Sequence, residues 1–340
     1  MRDGEVVDPA TWTRRARTGA TTMDDVVDAG RLLEHYATGA TVVLQSMQRW
    51  FAPVSRFCRD LEVVLTHPVQ ANAYLTPPGA AGLAAHHDTH DVFVLQLHGS
   101  KHWIVREPLV DAPLPRHRCD HGLAEDRPIL FETTLQPGSC LYLPRGVVHA
   151  ARAQEGSSLH LTIGILAVTA YDVVRRVADM AADVPALRRS IPAGWARDRT
   201  IAERVVKDVL TELVEFLERV DADAIAEHLT SRHHRARQPL LHGQLLELDA
   251  LASILDDTVV RRRDGLVLTR DVDGDVLRLR AGDRTLELPA ILAPAVDRLL
   301  DGVPCRVGDL ADVLDAPSRL VLVRRFVREG LLRTGGAARG

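Results

Sequence analysis

Residues 86–91 read His-His-Asp-Thr-His-Asp, three imidazoles and two carboxylates in six positions. On a β-strand, side chains two apart share a face. His86 and Asp88 therefore project together, with His90 on the same side by parity and His87 on the other. A His and an Asp so placed supply two ligands of a 2-His-1-carboxylate triad on Fe(II), which leaves open positions for a co-substrate and O₂. The third ligand has to come from elsewhere. His149 is the candidate, in Leu143-Pro144-Arg145-Gly146-Val147-Val148-His149. His-x-Asp alone has a commoner explanation, because both residue types abound on surfaces and in turns. A distal His behind a turn moves the balance toward a metal site.

The elements that must carry these groups are strand-like from about residue 39 to 168, with short apolar runs punctuated by Gly, Pro and Asp. Such runs are 41–44, 91–97, 103–105, 139–143 and 159–168. Residues 24–36 and 47–66 read as helices. From about 169 to 235 the period becomes 3.6. Val173, Val174, Val177 and Met180 mark one helix, ending near Pro185. Ile201, Val205, Val209, Leu213, Phe216 and Val220 form the apolar stripe of another. These helices are too few for a bundle core, so the stripe is expected to bury against the strand domain or a second copy of the chain. His233 and His234 lie in the basic stretch 231–237, which reads as a solvated linker. Beyond about 250, residues 265–268 and 276–279 read as strands around the turn 272–275, followed by helices near 290–300, 307–315 and 317–329. That order suggests a small winged-helix-like module. Its acids and bases nearly balance, which favours a packing or protein-contact role over DNA reading.

Composition narrows the function classes. A chain of 340 residues suggests two or three domains. It is long enough to bury a core without disulfide staples. With 46% hydrophobic and 26% charged residues it is neither disordered nor fibrous. Net charge is −4, so no global basic excess drives nucleic-acid binding. Aromatics at 4% argue against a platform for stacking single strands. Cys58, Cys119, Cys140 and Cys305 form no CxxC pair, which excludes zinc-ribbon and thioredoxin-type motifs. No apolar signal core follows the N-terminus, and no run approaches the ~18 apolar residues of a membrane span. A soluble cytoplasmic protein is the expectation.

Several stretches together resemble one family. They are Asn72-Ala73-Tyr74-Leu75-Thr76-Pro77-Pro78, His86-x-Asp88 followed by residues 91–96, Gly99-Ser100-Lys101-His102-Trp103, and residues 141–146 with His149. In order and spacing they look like the JmjC/cupin-type ribosomal oxygenases, which are Fe(II)- and 2-oxoglutarate-dependent protein hydroxylases. The resemblance implies an α+β chain. A double-stranded β-helix catalytic domain over 1–168 would precede a helical dimerisation region over 169–249 and a winged-helix-like domain over 250–340. It implies His86, Asp88 and His149 as iron ligands. Lys101, which spacing alone would assign to solvated surface, becomes the partner of the far carboxylate of 2-oxoglutarate. Such a carboxylate needs a cation. Asn72 and Tyr74 match positions lining the co-substrate pocket, as does Thr162, although the loop before it is shorter here.

His87 and His90 stand where Tyr or Asp is commoner in bacterial members, and Val147-Val148 where an aromatic and a Pro are common. These departures spare the triad and bear on the substrate. The expected reaction decarboxylates 2-oxoglutarate to succinate and CO₂ and hydroxylates a protein side chain, such as Arg or His of a ribosomal protein. The rivals are the same chemistry on a small peptide or natural product, and a silent cupin acting as a dimeric scaffold. A homodimer is expected, with no membrane and no DNA partner.

Overall fold

The computed structural model describes residues 1–2 and 4–335. The chain divides into two units, Met1–Ala167 and a second beginning at Val168. The first holds β1 (Thr13–Thr18), β2 (Thr21–Val27), α1 (Ala29–Ala37), β3 (Val42–Leu44), α2 (Ala52–Leu65), β4 (Val69–Thr76), β5 (His86–His87) and β6 (Asp91–His98). It continues with β7 (Lys101–Pro108), α3 (His121–Glu125), β8 (Ile129–Leu135), β9 (Cys140–Leu143), β10 (Val147–Ala153) and β11 (Ser158–Ile165). Strands β1 and β2 form a hairpin. The rest make a five-stranded sheet in the order β3-β4-β11-β6-β9 and a four-stranded sheet in the order β5-β10-β7-β8. All pairings within them are antiparallel. The chain passes repeatedly between the two sheets, so residues adjacent in sequence end on opposite walls of one interior.

Alternation along β4 sorts its side chains. Val69, Ala71 and Ala73 face outward and are buried under α2, with Met47, Val54, Cys58 and Ile163. Asn72 and Tyr74 consequently face the interior. Between the sheets, Val92, Val94, Trp103, Val105, Leu143 and Val147 form the inner core. Two glycines set the turns that feed the site. Gly99 (φ +60°), between β6 and β7, would place a Cβ 2.0 Å from the Ser157 carbonyl oxygen. Gly146 (φ +89°), before β10, would place one 2.0 Å from that of Val110. Any side chain there would force the backbone to move.

The helix expected over 24–36 begins later. Residues 21–27 are rich in β-branched side chains and pair with β1. Asp28 then caps α1, its carboxylate accepting from the Arg31 N–H at 3.2 Å. The helix expected over 47–66 is a 3₁₀ turn, Met47–Arg49, followed by α2 with Pro53 in its first turn.

The second unit has α4 (Ala170–Ala181), α5 (Arg199–Leu217), α6 (Ala222–Arg235) and α7 (Gln244–Asp249). Then come β12 (Val259–Arg262), β13 (Leu268–Asp273), β14 (Val276–Ala281), β15 (Arg284–Pro289), α8 (Ala293–Leu300), β16 (Cys305–Arg306), α9 (Ala316–Arg328) and β17 (Leu332–Thr334). The β13–β14 turn is Gly274-Asp275. The stretch near 307–315 is a single 3₁₀ helix, Val307–Leu310, followed by turns. A core around Phe326, Val323, Leu299, Leu310 and Leu332 unites the C-terminal elements. The basic stretch 231–237 is not a linker. Residues 231–235 are the last turn of α6, where cations are favoured by the helix dipole. Arg237 is buried and donates to the His233 carbonyl at 2.7 Å. Helix α5 buries no residue of its own. Among the described residues no helix is long and apolar enough to cross a membrane.

Candidate active site

The β5–β10 pairing sets His86 directly opposite His149, with ring centroids 4.4 Å apart. Asp88 follows β5. Its backbone carbonyl accepts from the Gly146 N–H at 2.9 Å, which joins the two turns that carry the three groups. The Asp88 carboxylate lies 3.7 Å from His149 Nε2. One ligand atom from each of His86, Asp88 and His149 falls within 4.8 Å of the others. His86 Nδ1 is 2.8 Å from the Ala84 carbonyl and His149 Nδ1 is 3.1 Å from that of Val147. A ring that donates through Nδ1 keeps the Nε2 lone pair free for a metal. Burial and the neighbouring His86 push the His149 pKa down to about 4, so its imidazole is neutral at pH 7.

At the other end, Lys101 opens β7 and is 2% exposed. Its ammonium donates to Thr76 Oγ1 at 3.1 Å, and Thr76 Oγ1 also accepts from Thr41 Oγ1 at 3.2 Å. Among the described residues Lys101 has no carboxylate partner, and burial brings its pKa down to about 8. Across the five-stranded sheet, Asn72 pairs with Thr162 and Tyr74 with His160. Asn72 Oδ1 accepts from the Ser46 N–H at 2.9 Å. Burial, and then the Asp88 charge, raise the Tyr74 pKa to about 12, so it stays a neutral phenol.

The triad, Lys101, Asn72, Tyr74 and Thr162 all line one cavity of about 230 Å³. His90 lines it too, from the bend between β5 and β6. His87 points away, 5% exposed, with Nε2 3.3 Å from the His117 carbonyl. Sequence reasoning gave no role to Thr76, Thr41 or His160. Parity could have found two of them, since Thr76 follows Asn72 and Tyr74 at steps of two and His160 precedes Thr162 by two.

Residues 44–173 match the model of the JmjC domain. This part of the chain is a JmjC domain. The chain is 36% identical over 156 residues to the bifunctional lysine-specific demethylase and histidyl-hydroxylase NO66 of Dictyostelium discoideum, 44% of this chain and 30% of that protein. It is 42% identical over 128 residues to ribosomal oxygenase 2 of Bos taurus, 36% of this chain and 27% of that protein. The matches thus span under a third of either relative. Among solved structures, that of E. coli ycfD aligns with a TM-score of 0.53 at 20% identity, covering 87% of this chain and 79% of the other. This last likeness is one of fold, and it agrees with the JmjC/cupin arrangement of paired sheets around the cavity.

Proposed function

We propose that the JmjC domain binds Fe(II) through His86, Asp88 and His149 and 2-oxoglutarate through Lys101, and that the protein is a 2-oxoglutarate-dependent oxygenase. The observation that carries this reading is one cavity with two unlike ends. One end offers two Nε2 lone pairs and a carboxylate, the donor set of a facial triad. The other holds a buried ammonium with no carboxylate partner among the described residues. A dicarboxylate with a 2-oxo acid head suits both ends. When bound, the metal would support hydroxylation of a C–H bond by O₂, one oxygen atom entering the substrate and the other entering succinate as 2-oxoglutarate loses CO₂. The protein's part is to hold the rings by their Nδ1 contacts, keep His149 neutral and shield the Lys101 end from water. Asn72, Tyr74 and Thr162 would line the co-substrate.

The relatives' names, histidyl-hydroxylase and ribosomal oxygenase, support a side chain of a ribosomal protein as target; Arg or His as the residue and the cytoplasm as the place are our own reading. Mass spectrometry of ribosomal proteins from cells with and without this chain tests the target, with a +16 shift expected. Release of succinate from 2-oxoglutarate by the purified, iron-loaded protein tests the chemistry. No turnover by an iron-loaded protein, with or without ribosomal extract, overturns it.

We also infer that α5 meets a second copy of the chain in a symmetric dimer, and that the region 250–340, whose last five residues lie outside the described ones, carries a winged-helix-like protein-contact module. The support for the dimer is that no residue of α5 is fully buried and that Val209 of the stripe, and Val206, Leu210, Val214 and Leu217 beside it, are 45–56% exposed, while Ile201, Val205, Leu213 and Phe216 are half-buried. Light scattering should give twice the chain mass, and Val209→Glu with Leu213→Lys should shift it toward monomer or insoluble protein. A monomeric wild type at micromolar concentration removes the dimer. Tight sequence-specific duplex binding by the full chain removes the protein-contact role.

A further inference from the structure

His160 has no part in the site as read so far. It sits on β11 opposite Tyr74 of β4 and Gln96 of β6, held between strands on both sides. Its ring lies parallel to that of Tyr74, with centroids 4.9 Å apart and planes 3° apart. It meets the Trp103 ring edge-on at 5.5 Å and 81°. The residue is 3% exposed and lines the cavity. Among the described residues neither ring nitrogen has a hydrogen-bond partner, and Nδ1 is wholly out of reach of solvent. A neutral imidazole carries one N–H to give and one lone pair to fill. A buried polar group left without a partner is destabilising, and in native proteins something fills the vacancy.

The surroundings say what kind of group that is. Burial, then the nearby Lys101 ammonium, holds His160 neutral. It stands apart from the three-residue metal group, and the ammonium beside it repels a cation. An anion drawn by Lys101 is attracted by the same charge and can accept the imidazole N–H.

We propose that His160 donates its Nε2–H, the ring nitrogen not sealed from the cavity, to the carboxylate that pairs with Lys101, so that the two residues clamp the far end of a dicarboxylate. The inference rests on the 2-oxoglutarate reading above. A lysine on a flexible stem attracts any anion. A second donor, fixed in plane by Tyr74 and Trp103, adds direction. The pair then selects a dicarboxylate over a 2-oxo acid that ends in a methyl group.

The test uses the full chain loaded with Mn(II) and two ligands, 2-oxoglutarate and 2-oxopentanoate, which lacks the far carboxylate. His160→Phe keeps an aromatic ring against Tyr74 and removes both nitrogens. Calorimetry should show 2-oxoglutarate binding about ten- to a hundredfold weaker, 2-oxopentanoate unchanged within about twofold, and Mn(II) binding unchanged. His160→Asn should recover part of the loss. Equal weakening of both acids would show a packing role and overturn the clamp. So would wild-type affinity for 2-oxoglutarate in His160→Phe while Lys101→Ala is impaired. If instead Lys101→Ala binds 2-oxoglutarate as tightly as wild type, the reading of the pocket itself fails. A measurement on the wild type removes dependence on folding of the variants. With Zn(II) bound and ¹⁵N-labelled histidine, 2-oxoglutarate should produce a protected ring N–H resonance that 2-oxopentanoate does not. Its absence overturns the clamp.

Discussion

The two ends of the cavity are built on opposite principles. At the metal end, charge and lone pairs converge, with the Asp88 side chain 27% exposed and that of His149 7%. At the lysine end Lys101, Thr76 and His160 are 2%, 0% and 3% exposed. The metal end needs geometry, which β5 and β10 supply by setting His86 against His149. The lysine end needs dryness, which strengthens a charge pair once the ligand arrives and penalises the lone ammonium before it does.

The largest expected effect breaks the metal end. Asp88→Ala should weaken Mn(II) or Co(II) binding by more than about a hundredfold, because even groups that only orient a ligand contribute about 10–100-fold. Titration with the metal alone measures it. Unchanged affinity would move the site elsewhere, to His87 or His90.

Breaking the lysine end should leave the metal in place. Lys101→Ala should cost about 3–5 kcal/mol of 2-oxoglutarate binding, a loss of at least about a hundredfold. Metal affinity should stay near wild type. Loss of both ligands together would mean that the ends are not separable.

The dry end should also titrate. With the Lys101 pKa at about 8, 2-oxoglutarate binding should weaken above that pH by about tenfold per unit, because only the ammonium pairs with the carboxylate. The free protein should show the opposite trend. Between about 8 and the ordinary 10.5, the unfolded chain holds a proton that the folded chain has released, so stability rises with pH by about 3 kcal/mol in all. Below 8 both forms are protonated and this contribution is flat. Denaturation of wild type and Lys101→Met at pH 7 and 10 separates this group from the others. A rise that persists in the variant would assign it elsewhere.

The smallest effects distinguish the turns. Gly146→Ala and Gly99→Ala should each cost about 1–3 kcal/mol by strain at positive φ. Gly146→Ala should weaken metal binding, and Gly99→Ala should weaken 2-oxoglutarate with the metal retained. Chemical denaturation and the same titrations check both, and identical ligand profiles for the two variants would contradict separate positioning.

Legibility differed by region for physical reasons. Where a strand is half buried, parity put Asn72 with Tyr74 on β4; it also paired His86 with Asp88, although β5 stops at His87 and Asp88 reaches the site from the turn beyond it. It would have added Thr76 and His160, had it been carried two residues further. The β1–β2 hairpin was missed because most of its side chains are exposed, so burial imposes no alternation. Residues 231–237 read as a linker because a run of basic residues looks the same on a helix end as on a solvated loop. The strand β8 gave no signal for the same reason as the hairpin, with Ile129, Leu130 and Phe131 all exposed on a sheet edge.

The sequence by itself determined which groups could do chemistry and which of them share a strand face, because the two-residue period is a local property of the backbone. It also determined that some distal His had to join His86 and Asp88, and its turn glycines marked where the chain reverses. Only the tertiary structure decided that His149 lies across from His86, because strand pairing joins residues 63 positions apart through hydrogen bonds that leave no trace in spacing. It alone decided that Lys101 is dry and, among the described residues, without a carboxylate partner, and that His160 is caught between Tyr74 and Trp103. Burial is set by what other strands bring near a residue, and no stretch of chain encodes that on its own.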